Sequence, residues 1–245
     1  MSTSNDPPPR INRFLADCGL GSRRSCETIV TEGRVLINGQ PCLSLSTRVR
    51  EEDRVRVDGR ILKRENEEEV TILLYKPAGY LCTRNDPEGR STIFELLPPH
   101  LGRQRSIHYA GRLDFDSEGL IILTNCGETS QRLSHPSEKT EKEYVVSLST
   151  PFREEHAQVL IQGVDTPSGF ARAVAVEKIT KRSIAVILHQ GLKRQIRHML
   201  DVLGYRVTRL IRVRIGGLTD TSLKPGGWRF LGRRDLAAIF NKTKH

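Results

Sequence analysis

The chain has 245 residues and a formal net charge of +10, with 39 Lys and Arg against 29 Asp and Glu. This length is enough for one large domain, or a large and a small one, around a hydrophobic core of ordinary size. No apolar stretch approaches the roughly 20 residues that a membrane-spanning helix needs, so we expect no membrane partner. The five cysteines are an odd number and form no CxxC pair, which argues against a disulfide framework or a zinc site and favours the cytoplasm.

The positive charge is concentrated in one part of the sequence. Residues 181–234 contain 13 Lys and Arg against two Asp, whereas the rest of the chain is about neutral. Such a concentration is typical of proteins that bind polyanions. We interpret it as a nucleic-acid-binding feature, with a merely soluble basic surface as the alternative.

Residues 10–62 predict a small helix-helix-strand module. Its first helix has apolar residues at helical spacing: Ile11, Phe14, Leu15 and Cys18. Ser22 is expected to cap a second helix that ends near Gly33. Asn-Gly at 38–39 and Asp-Gly at 58–59 predict tight turns between short strands.

Two segments beside this module predict no packed structure. Residues 1–9 carry three prolines and no apolar run, and we expect a disordered tail rather than a signal peptide. Residues 63–69 are charged and contain no apolar side chain, which predicts a linker. A larger domain then covers residues 70–245.

The larger domain predicts a sheet with few helices. Strands are expected over 70–75, 120–124, 143–149, 171–176, 183–188 and 206–215, and a helix over 193–203. Because the strands need not alternate with helices, we expect an α+β fold on a mixed, mostly antiparallel sheet. Within 206–215, the alternation predicts apolar residues on one strand face and Arg206, Arg212 and Arg214 on the other.

Residues 111–120, GRLDFDSEGL, place three carboxylates directly before a buried strand. A loop fixed to the core in this way can hold an acid for chemistry, although most acid-rich turns are simply solvated. The spacing of Asp114, Asp116 and Glu118 also fits the start of a calcium loop. We reject calcium because the twelfth position is Asn125, where a bidentate Glu is needed. No metal ligand set is predicted.

The amino-terminal module resembles the S4-type RNA-binding domain. The matching segments are RFL at 13–15, SRR at 22–24 and GRVLING at 33–39. Such domains dock basic residues on structured RNA through its backbone and shape. The resemblance implies RNA contacts by Arg13, Ser22, Arg23, Arg24, Arg34 and Asn38.

The larger domain contains an ordered series of motifs. They are KPAG at 76–79, GRST at 89–92, GRLD at 111–114, EKEY at 141–144, GLKRQIRHM at 191–199, LIRVRI at 210–215 and LKPGGW at 223–228. Together with the front module, the chain resembles the ribosomal RNA pseudouridine synthases of the RsuA/RluB/RluF type. The resemblance implies isomerisation of uridine: the bond from ribose to the ring nitrogen breaks, and the rotated uracil rejoins through carbon 5. No cofactor is implied.

The resemblance assigns three residues to catalysis: Asp114, Tyr144 and Arg197. Asp114 is implied to act on the sugar, either by covalent addition or by removing a ribose proton, much as glycosidases use carboxylates against a cationic sugar centre. Arg197 is implied to pair with Asp114, whereas helical spacing alone favours an ion pair with Asp201. Tyr144 is implied to stack on the target base, while a tyrosine on a strand is otherwise usually a packing residue. Asp116 and Glu118 are expected to shape the loop.

A uridine must leave its stack before it can react, at a cost of a few kcal/mol when it is paired. We expect phosphate contacts from Lys193, Arg194, Arg212 and Arg214 to offset this cost. Arg112 is expected to hold the flipped nucleotide or fill its vacated place, with a phosphate or surface contact as the alternative. The implied partner is ribosomal RNA, with the large subunit (23S) favoured and the small subunit second. A non-catalytic factor for ribosome assembly is the leading alternative, and we expect a monomer because no coiled-coil segment is present.

Overall fold

The computed structural model describes residues 7–62, 68–104, 106–134, 138, 140–189 and 191–240. The chain divides into two compact units. The first extends to residue 68 and takes in the short segment 104–106, and the second contains the remainder. Most of the predicted tail (1–9) and linker (63–69) lies outside the described residues, so both stay predictions.

The first unit has the predicted order of two helices followed by short strands. Its elements are α1 (Ile11–Asp17), α2 (Arg23–Thr31), β1 (Val35–Ile37), β2 (Gln40–Pro41), β3 (Val55–Val57) and β4 (Arg60–Ile61). The strands pair antiparallel in the order β2-β1-β3-β4. The helices and strands enclose a core of buried residues that includes Ile11, Leu15, Cys26, Val30, Val35 and Val55.

Local signals in this unit behave as the sequence predicts. The Ser22 hydroxyl accepts a hydrogen bond from the Ser25 backbone N–H (3.1 Å) at the start of α2. Gly33, which has a φ of +74°, follows the last helical turn. Asn38 and Gly39 both have positive φ between the paired residues of β1 and β2, as expected for a two-residue hairpin turn.

The second unit contains the larger set of elements. They are β5 (Thr71–Lys76), a 3-10 helix (Ile93–Leu96), α3 (Pro99–Gly102), β6 (His108–Ala110), β7 (Glu118–Thr124), α4 (Gly127–Ser134), β8 (Lys142–Leu148), α5 (Glu155–Gln162), β9 (Val164–Thr166), β10 (Gly169–Ala171), β11 (Ala175–Thr180), β12 (Ser183–Leu188), α6 (Gln195–Val202), β13 (Val207–Ile215), β14 (Leu218–Thr219), β15 (Trp228–Phe230) and α7 (Arg233–Phe240).

Nine of these strands form one mixed sheet. Its main order is β11-β12-β8-β13-β7-β5-β15, with β14 paired to β13 and β6 paired to β7. Among the strands that the structure describes, β13 and β7 run parallel and the other neighbours in this sheet run antiparallel. The predicted α+β fold on a mixed, mostly antiparallel sheet is confirmed. Apolar clusters cover the sheet, and β7 is buried from Gly119 to Thr124.

Two predicted elements have different bounds. The single strand expected over 171–176 is wrong, because β10 ends at Ala171 and β11 begins at Ala175. Between them the Ala173 N–H bonds to the Leu160 carbonyl (2.8 Å), which joins the β9–β10 hairpin to α5 before the chain enters the sheet. The predicted helix 193–203 begins later, at Gln195, because Arg194 has left-handed backbone angles (φ 50°, ψ 32°).

The predicted division of 206–215 into an apolar and an arginine face is also wrong. The pairing of β13 with β8 shifts register between Val207 and Arg209 and again between Arg212 and Arg214. Each irregularity reverses the alternation of side chains. The shift after Arg212 consequently brings Ile215 to the buried face that carries Leu210 and Arg212, and separates Arg214 from them.

Candidate active site

An open pocket with an empty volume of about 460 Å³ lies beside the loop that precedes β7. Residues from four parts of the chain line it, among them Arg112, Asp114, Tyr144, Leu192, Arg194 and Leu210. The fold therefore brings together two of the three predicted catalytic residues, with an acid and a phenol in the same cavity. Arg112 and Arg194, two of the predicted substrate contacts, share it.

A buried lysine fixes the loop that carries Asp114. Lys76, at the end of β5, is completely buried and donates hydrogen bonds to the carbonyls of Pro77 (3.0 Å), Phe115 (3.2 Å) and Ser117 (2.7 Å). The Gly79 N–H also donates to the Phe115 carbonyl (2.8 Å). Burial lowers the pKa of Lys76, and nearby acids including Asp114 oppose that effect. The Lys76 amine therefore fixes the loop by binding backbone carbonyls of the loop.

A glycine permits the close approach of the two parallel strands behind the loop. Gly119 pairs with Arg212 and has a φ of +108°. A Cβ at this position would lie 2.2 Å from the Arg212 carbonyl oxygen and 2.6 Å from its nitrogen. A side chain would force β7 and β13 apart, so the glycine sets how near the acidic loop lies to β13.

Asp114 differs from the acids that follow it in the loop. Its carboxylate makes no hydrogen bond or ion pair with any residue in the described part of the chain, although its carbonyl accepts from the Ser117 N–H (3.1 Å). The side chain is half-buried and lines the pocket. The positive charges of Arg194 and Arg197 both act on it electrostatically. A carboxylate so placed faces the cavity with its oxygens unoccupied.

Asp116 is the carboxylate that binds the arginines. Arg194 donates to both of its oxygens (3.2 and 3.1 Å), and Arg197 Nη2 lies 3.2 Å from Oδ2 and donates to the Asp116 carbonyl (3.1 Å). Partial burial raises the pKa of Asp116, but the hydrogen bonds from Arg194 and the charge of Arg197 outweigh it and leave it lowered. The predicted pairing of Arg197 with Asp114 is wrong in this detail, because Asp116 occupies the guanidinium.

The third acid, Glu118, is also occupied. Arg209 of β13 donates to both of its oxygens at 2.8 Å, which lowers the pKa of Glu118. The expectation that Asp116 and Glu118 shape the loop agrees with these contacts. Each ties the loop to a different element, Asp116 to the start of α6 and Glu118 to β13.

The start of α6 has an unusual backbone that the loop stabilises. Left-handed angles at a non-glycine residue cost of order 1–3 kcal/mol, and at Arg194 the paired contact with Asp116 offsets this strain. Buried Gln195 supports the turn, since its side-chain oxygen accepts from the Leu192 N–H (3.1 Å) and its Nε2 donates to the Arg172 carbonyl (3.3 Å). The wall of the pocket formed by 191–196 is thus held on both sides.

Tyr144 enters the pocket from the centre of the sheet. It lies on β8, opposite Val186 of β12 and Arg212 of β13. Its ring packs against two of the apolar clusters and still lines the cavity. Both the packing alternative and the implied base contact are therefore compatible with its position.

Two predicted phosphate contacts do not fit the structure. Arg212 is 3% exposed and donates through Nε to the Leu120 carbonyl (2.6 Å), because it lies on the same buried strand face as Leu210. Arg214 has a side chain that is 11% exposed and binds Glu143 (2.7 Å) and Glu141 (3.0 Å). Both arginines are structural in this fold. Arg112 and Lys193, in contrast, are exposed and make no side-chain hydrogen bond or ion pair with the described residues.

Some of the residues predicted to contact RNA in the first unit already bind other residues of the protein, and others do not. The Ser22 hydroxyl caps α2, and the Asn38 side chain is used by Asp53 (2.8 Å) and the Arg54 N–H (2.9 Å). Arg34 is exposed but binds Asp58 and Glu32, which raises its pKa.

The remaining predicted arginines of this unit are more available. Arg13 lies 3.9 Å from Asp17. Arg23 and Arg24 are exposed, and neither forms an ion pair with a residue that the structure describes. These two are therefore the freest positive charges among the predicted contacts of this unit.

The sequence did not assign roles to Lys76 and Gln195, and it did not pair Asp116 with the arginines. Lys76 could have been recognised from its position at the end of an apolar strand, where a lysine must find buried acceptors. The signal for Asp116 was its position two residues after Asp114. Gln195 could have been recognised as the polar residue just before the apolar face of a helix.

Comparison with known proteins decides the family. Residues 70–201 match the model for RNA pseudouridylate synthases, and residues 9–55 match the S4 domain. The chain belongs to the RNA pseudouridine synthase family. The resemblance inferred from the motifs is confirmed for both parts of the chain.

Members of this family match almost the whole chain. A ribosomal large subunit pseudouridine synthase B from Vibrio cholerae is 38% identical and covers 93% of this chain and 73% of its own length. An uncharacterized RNA pseudouridine synthase from Aquifex aeolicus is 35% identical, over 94% of this chain and 93% of that protein. A crystal structure of a pseudouridylate synthase, 28% identical, matches with a TM-score of 0.69 over 94% of this chain and 99% of that one. No described helix is long and apolar enough to cross a membrane.

Proposed function

We propose that this protein converts uridine to pseudouridine in ribosomal RNA, with 23S rRNA as the substrate and Asp114 as the catalytic carboxylate. The substrate rests on relatives named as large-subunit synthases. The reaction rearranges bonds within one nucleotide and is neutral in electrons, so it needs no redox or nucleotide cofactor. The amino-terminal S4 module serves as an RNA-docking unit.

The observation that carries the proposal is the division of labour among the three acids of the loop. Asp116 and Glu118 are held by arginines, whereas the Asp114 carboxylate faces the pocket without a described partner. A group that reacts with a sugar must present an unoccupied oxygen. Asp114 meets this condition, and its two neighbours keep the backbone around it fixed.

Positive charges surround the Asp114 carboxylate. Lys76, Arg194 and Arg197 each interact electrostatically with Asp114. None of them forms a contact ion pair with it. The carboxylate therefore lies in a positive electrostatic environment without being covered. Arg197 is in this proposal a positioning residue that acts through Asp116 and through its charge.

Tyr144 is proposed to contact the extruded uracil. Its ring lies in the pocket that holds Asp114 and is backed by packed apolar side chains, so it offers a rigid face for a base. Arg112 and Lys193, which are exposed at the rim, are proposed to bind phosphates beside the target nucleotide. Arg23 and Arg24 are proposed to do the same in the first unit.

The substrate proposal is tested with unmodified RNA. Purified protein is incubated with 23S and 16S rRNA transcripts, and pseudouridine is mapped by carbodiimide treatment and primer extension. We expect a stop at a defined uridine of 23S rRNA. Product in 16S rRNA alone would reassign the subunit, and binding without product in either RNA would favour the assembly-factor alternative. Light scattering on the same sample tests the proposed monomer, and fractionation of its source cells tests the proposed cytoplasmic location.

A further inference from the structure

Four exposed cations meet at one end of the sheet, far along the strands from the pocket. They are Arg153, Lys181, Arg182 and Arg206, which we call the strand-end patch. Within the described ranges, the side chains of these four residues form no ion pair and no hydrogen bond. Three of the four precede or follow strands that also line the pocket.

Backbone contacts bring these four residues together from distant parts of the sequence. The Leu148 N–H bonds to the Arg182 carbonyl (2.9 Å), and the Phe152 N–H bonds to the Lys181 carbonyl (2.7 Å). The Ser149 N–H bonds to the Arg206 carbonyl (3.0 Å). A further contact joins the Arg153 N–H to the Tyr205 hydroxyl (3.1 Å). Their backbones are thus fixed, while their side chains extend into solvent.

The patch stands out against the other basic residues near the sheet. Between residues 181 and 234, five arginines bind carboxylates: Arg194, Arg197, Arg209, Arg214 and Arg229. Their charge is largely cancelled, so the sequence count overstates the field of this segment. The acids that directly follow Arg153 in the sequence are Glu154, which is paired with Lys178 (2.8 Å), and exposed Glu155 in the first turn of α5. Most of the patch's positive charge therefore stays uncompensated.

We propose that the strand-end patch is a second RNA-contact surface, which binds the phosphate backbone of the duplex that flanks the target uridine. This inference rests on the proposed function. Ser149, which directly follows β8, is five residues from Tyr144, or roughly 17 Å at about 3.3 Å per residue. This separation between the pocket and the patch is short enough for one RNA duplex to span. Duplex RNA that enters the pocket at the target nucleotide continues past the patch. Free, unpaired cations on a rigid edge suit a regular line of phosphates.

The test uses two RNAs and two matched variants. The short RNA is the smallest 23S fragment that the unaltered protein modifies, and the long RNA extends its flanking duplex by about one helical turn. The patch variant is R182Q/R206Q, whose substituted side chains make no described structural contact. The control is R233Q/R234Q on α7, which removes the same charge from exposed positions elsewhere.

We expect the patch variant to bind the long RNA about tenfold more weakly, with the slope of log Kd against log salt lower by about one to two units. Its affinity for the short RNA and its kcat stay unchanged, and the control is affected less than twofold. Equal losses on both RNAs, equal losses in both variants, or no loss at all would each overturn the proposal. Because binding is measured without turnover, on 23S rRNA itself if no fragment is modified, a failure of the proposed activity is distinguished from a failure of the patch.

Discussion

Arg197 binds Asp116, and no residue in the described part of the chain forms an ion pair with Asp114. Its Nη2 lies 3.2 Å from Asp116 Oδ2 and donates to the Asp116 carbonyl at 3.1 Å. Arg194 completes the arrangement with two further contacts to the same carboxylate. The cation expected to partner the proposed catalytic acid instead fixes its neighbour, so the loop is held at Asp116 and open where it faces the pocket.

Replacing Asp116 by Asn is expected to lower kcat by roughly 5- to 30-fold, the equivalent of about 1–2 kcal/mol, with RNA affinity little changed. The physical reason is that Arg194 and Arg197 lose their anion and the loop loses its anchor. Because the pKa of Asp116 is lowered in the fold, its stabilising effect is complete above the ordinary aspartate range.

The stability difference between the parent and D116N should therefore be constant near neutral pH and disappear as the pH falls through the lowered folded value. Thermal unfolding of both proteins across the acid range measures this. A kcat equal to that of the parent would show that the loop does not need the anchor.

Replacing Lys76 by Met is expected to destabilise the protein by about 2–4 kcal/mol, because one buried and two partly buried carbonyls lose this donor. Activity should fall further than stability explains, since two of those carbonyls belong to the loop that carries Asp114. Denaturant unfolding and single-turnover rates measure the two effects. K193M, at an exposed lysine, is the control and should unfold at the parent's denaturant concentration.

Replacing Gly119 by Ala is expected to cost about 3 kcal/mol or more, because the added Cβ overlaps the Arg212 backbone at 2.2 Å. Gly204 has a similar need for positive φ (+78°) but has no atom within 4 Å of its Cβ position. G204A should therefore lose about 1 kcal/mol, from backbone strain alone. Unfolding curves of the two variants compare the cost of steric overlap with the cost of backbone strain. Equal losses of unfolding free energy would contradict the close approach of β7 and β13.

Replacing Lys142 by Met is expected to raise stability at pH 7. Burial, with the charge of Arg212 as a second cause, lowers the pKa of Lys142 to about 8. Folding at neutral pH therefore forces a charged amine into a poor environment, at a cost of about 2–3 kcal/mol.

The expected change of stability with pH is opposite to that of a lysine whose pKa is raised by folding. Between pH 8 and about 10.5 the unfolded chain keeps a proton that the folded chain has released, so the parent gains stability with rising pH and approaches K142M. Melting temperatures from pH 6 to 10 test this. A gap between the two proteins that stays constant with pH would show that Lys142 does not titrate in this range.

The sequence was sufficient for the module order, the sheet class and the position of the reactive loop. Patterns that depend on near neighbours in the chain predicted these features well: the Ser22 cap, the Asn38-Gly39 turn and the apolar run of β7. The family motifs added Asp114 and Tyr144, which the fold brings into one pocket. Local signals were enough wherever the structure is regular.

The wrong predictions concern positions where pairing between segments distant in the sequence determines the orientation of a side chain. No local pattern shows the register shift between Arg212 and Arg214, yet it separates the two arginines and leaves Arg212 in the core and Arg214 between two carboxylates. The choice of Asp116 over Asp114 by Arg197 likewise depends on how α6 approaches the loop. Charge counted along the chain also cannot show which arginines meet acids from other strands.

The central claim is that the Asp114 carboxylate performs the chemistry while its neighbours only hold it. The most direct measurement compares D114N and D116N for pseudouridine formation in 23S rRNA under single-turnover conditions, with RNA affinity measured in parallel. We predict no detectable product from D114N, a slow but measurable rate from D116N, and near-parent binding by both. Product formed by D114N at the parent's rate would contradict the account.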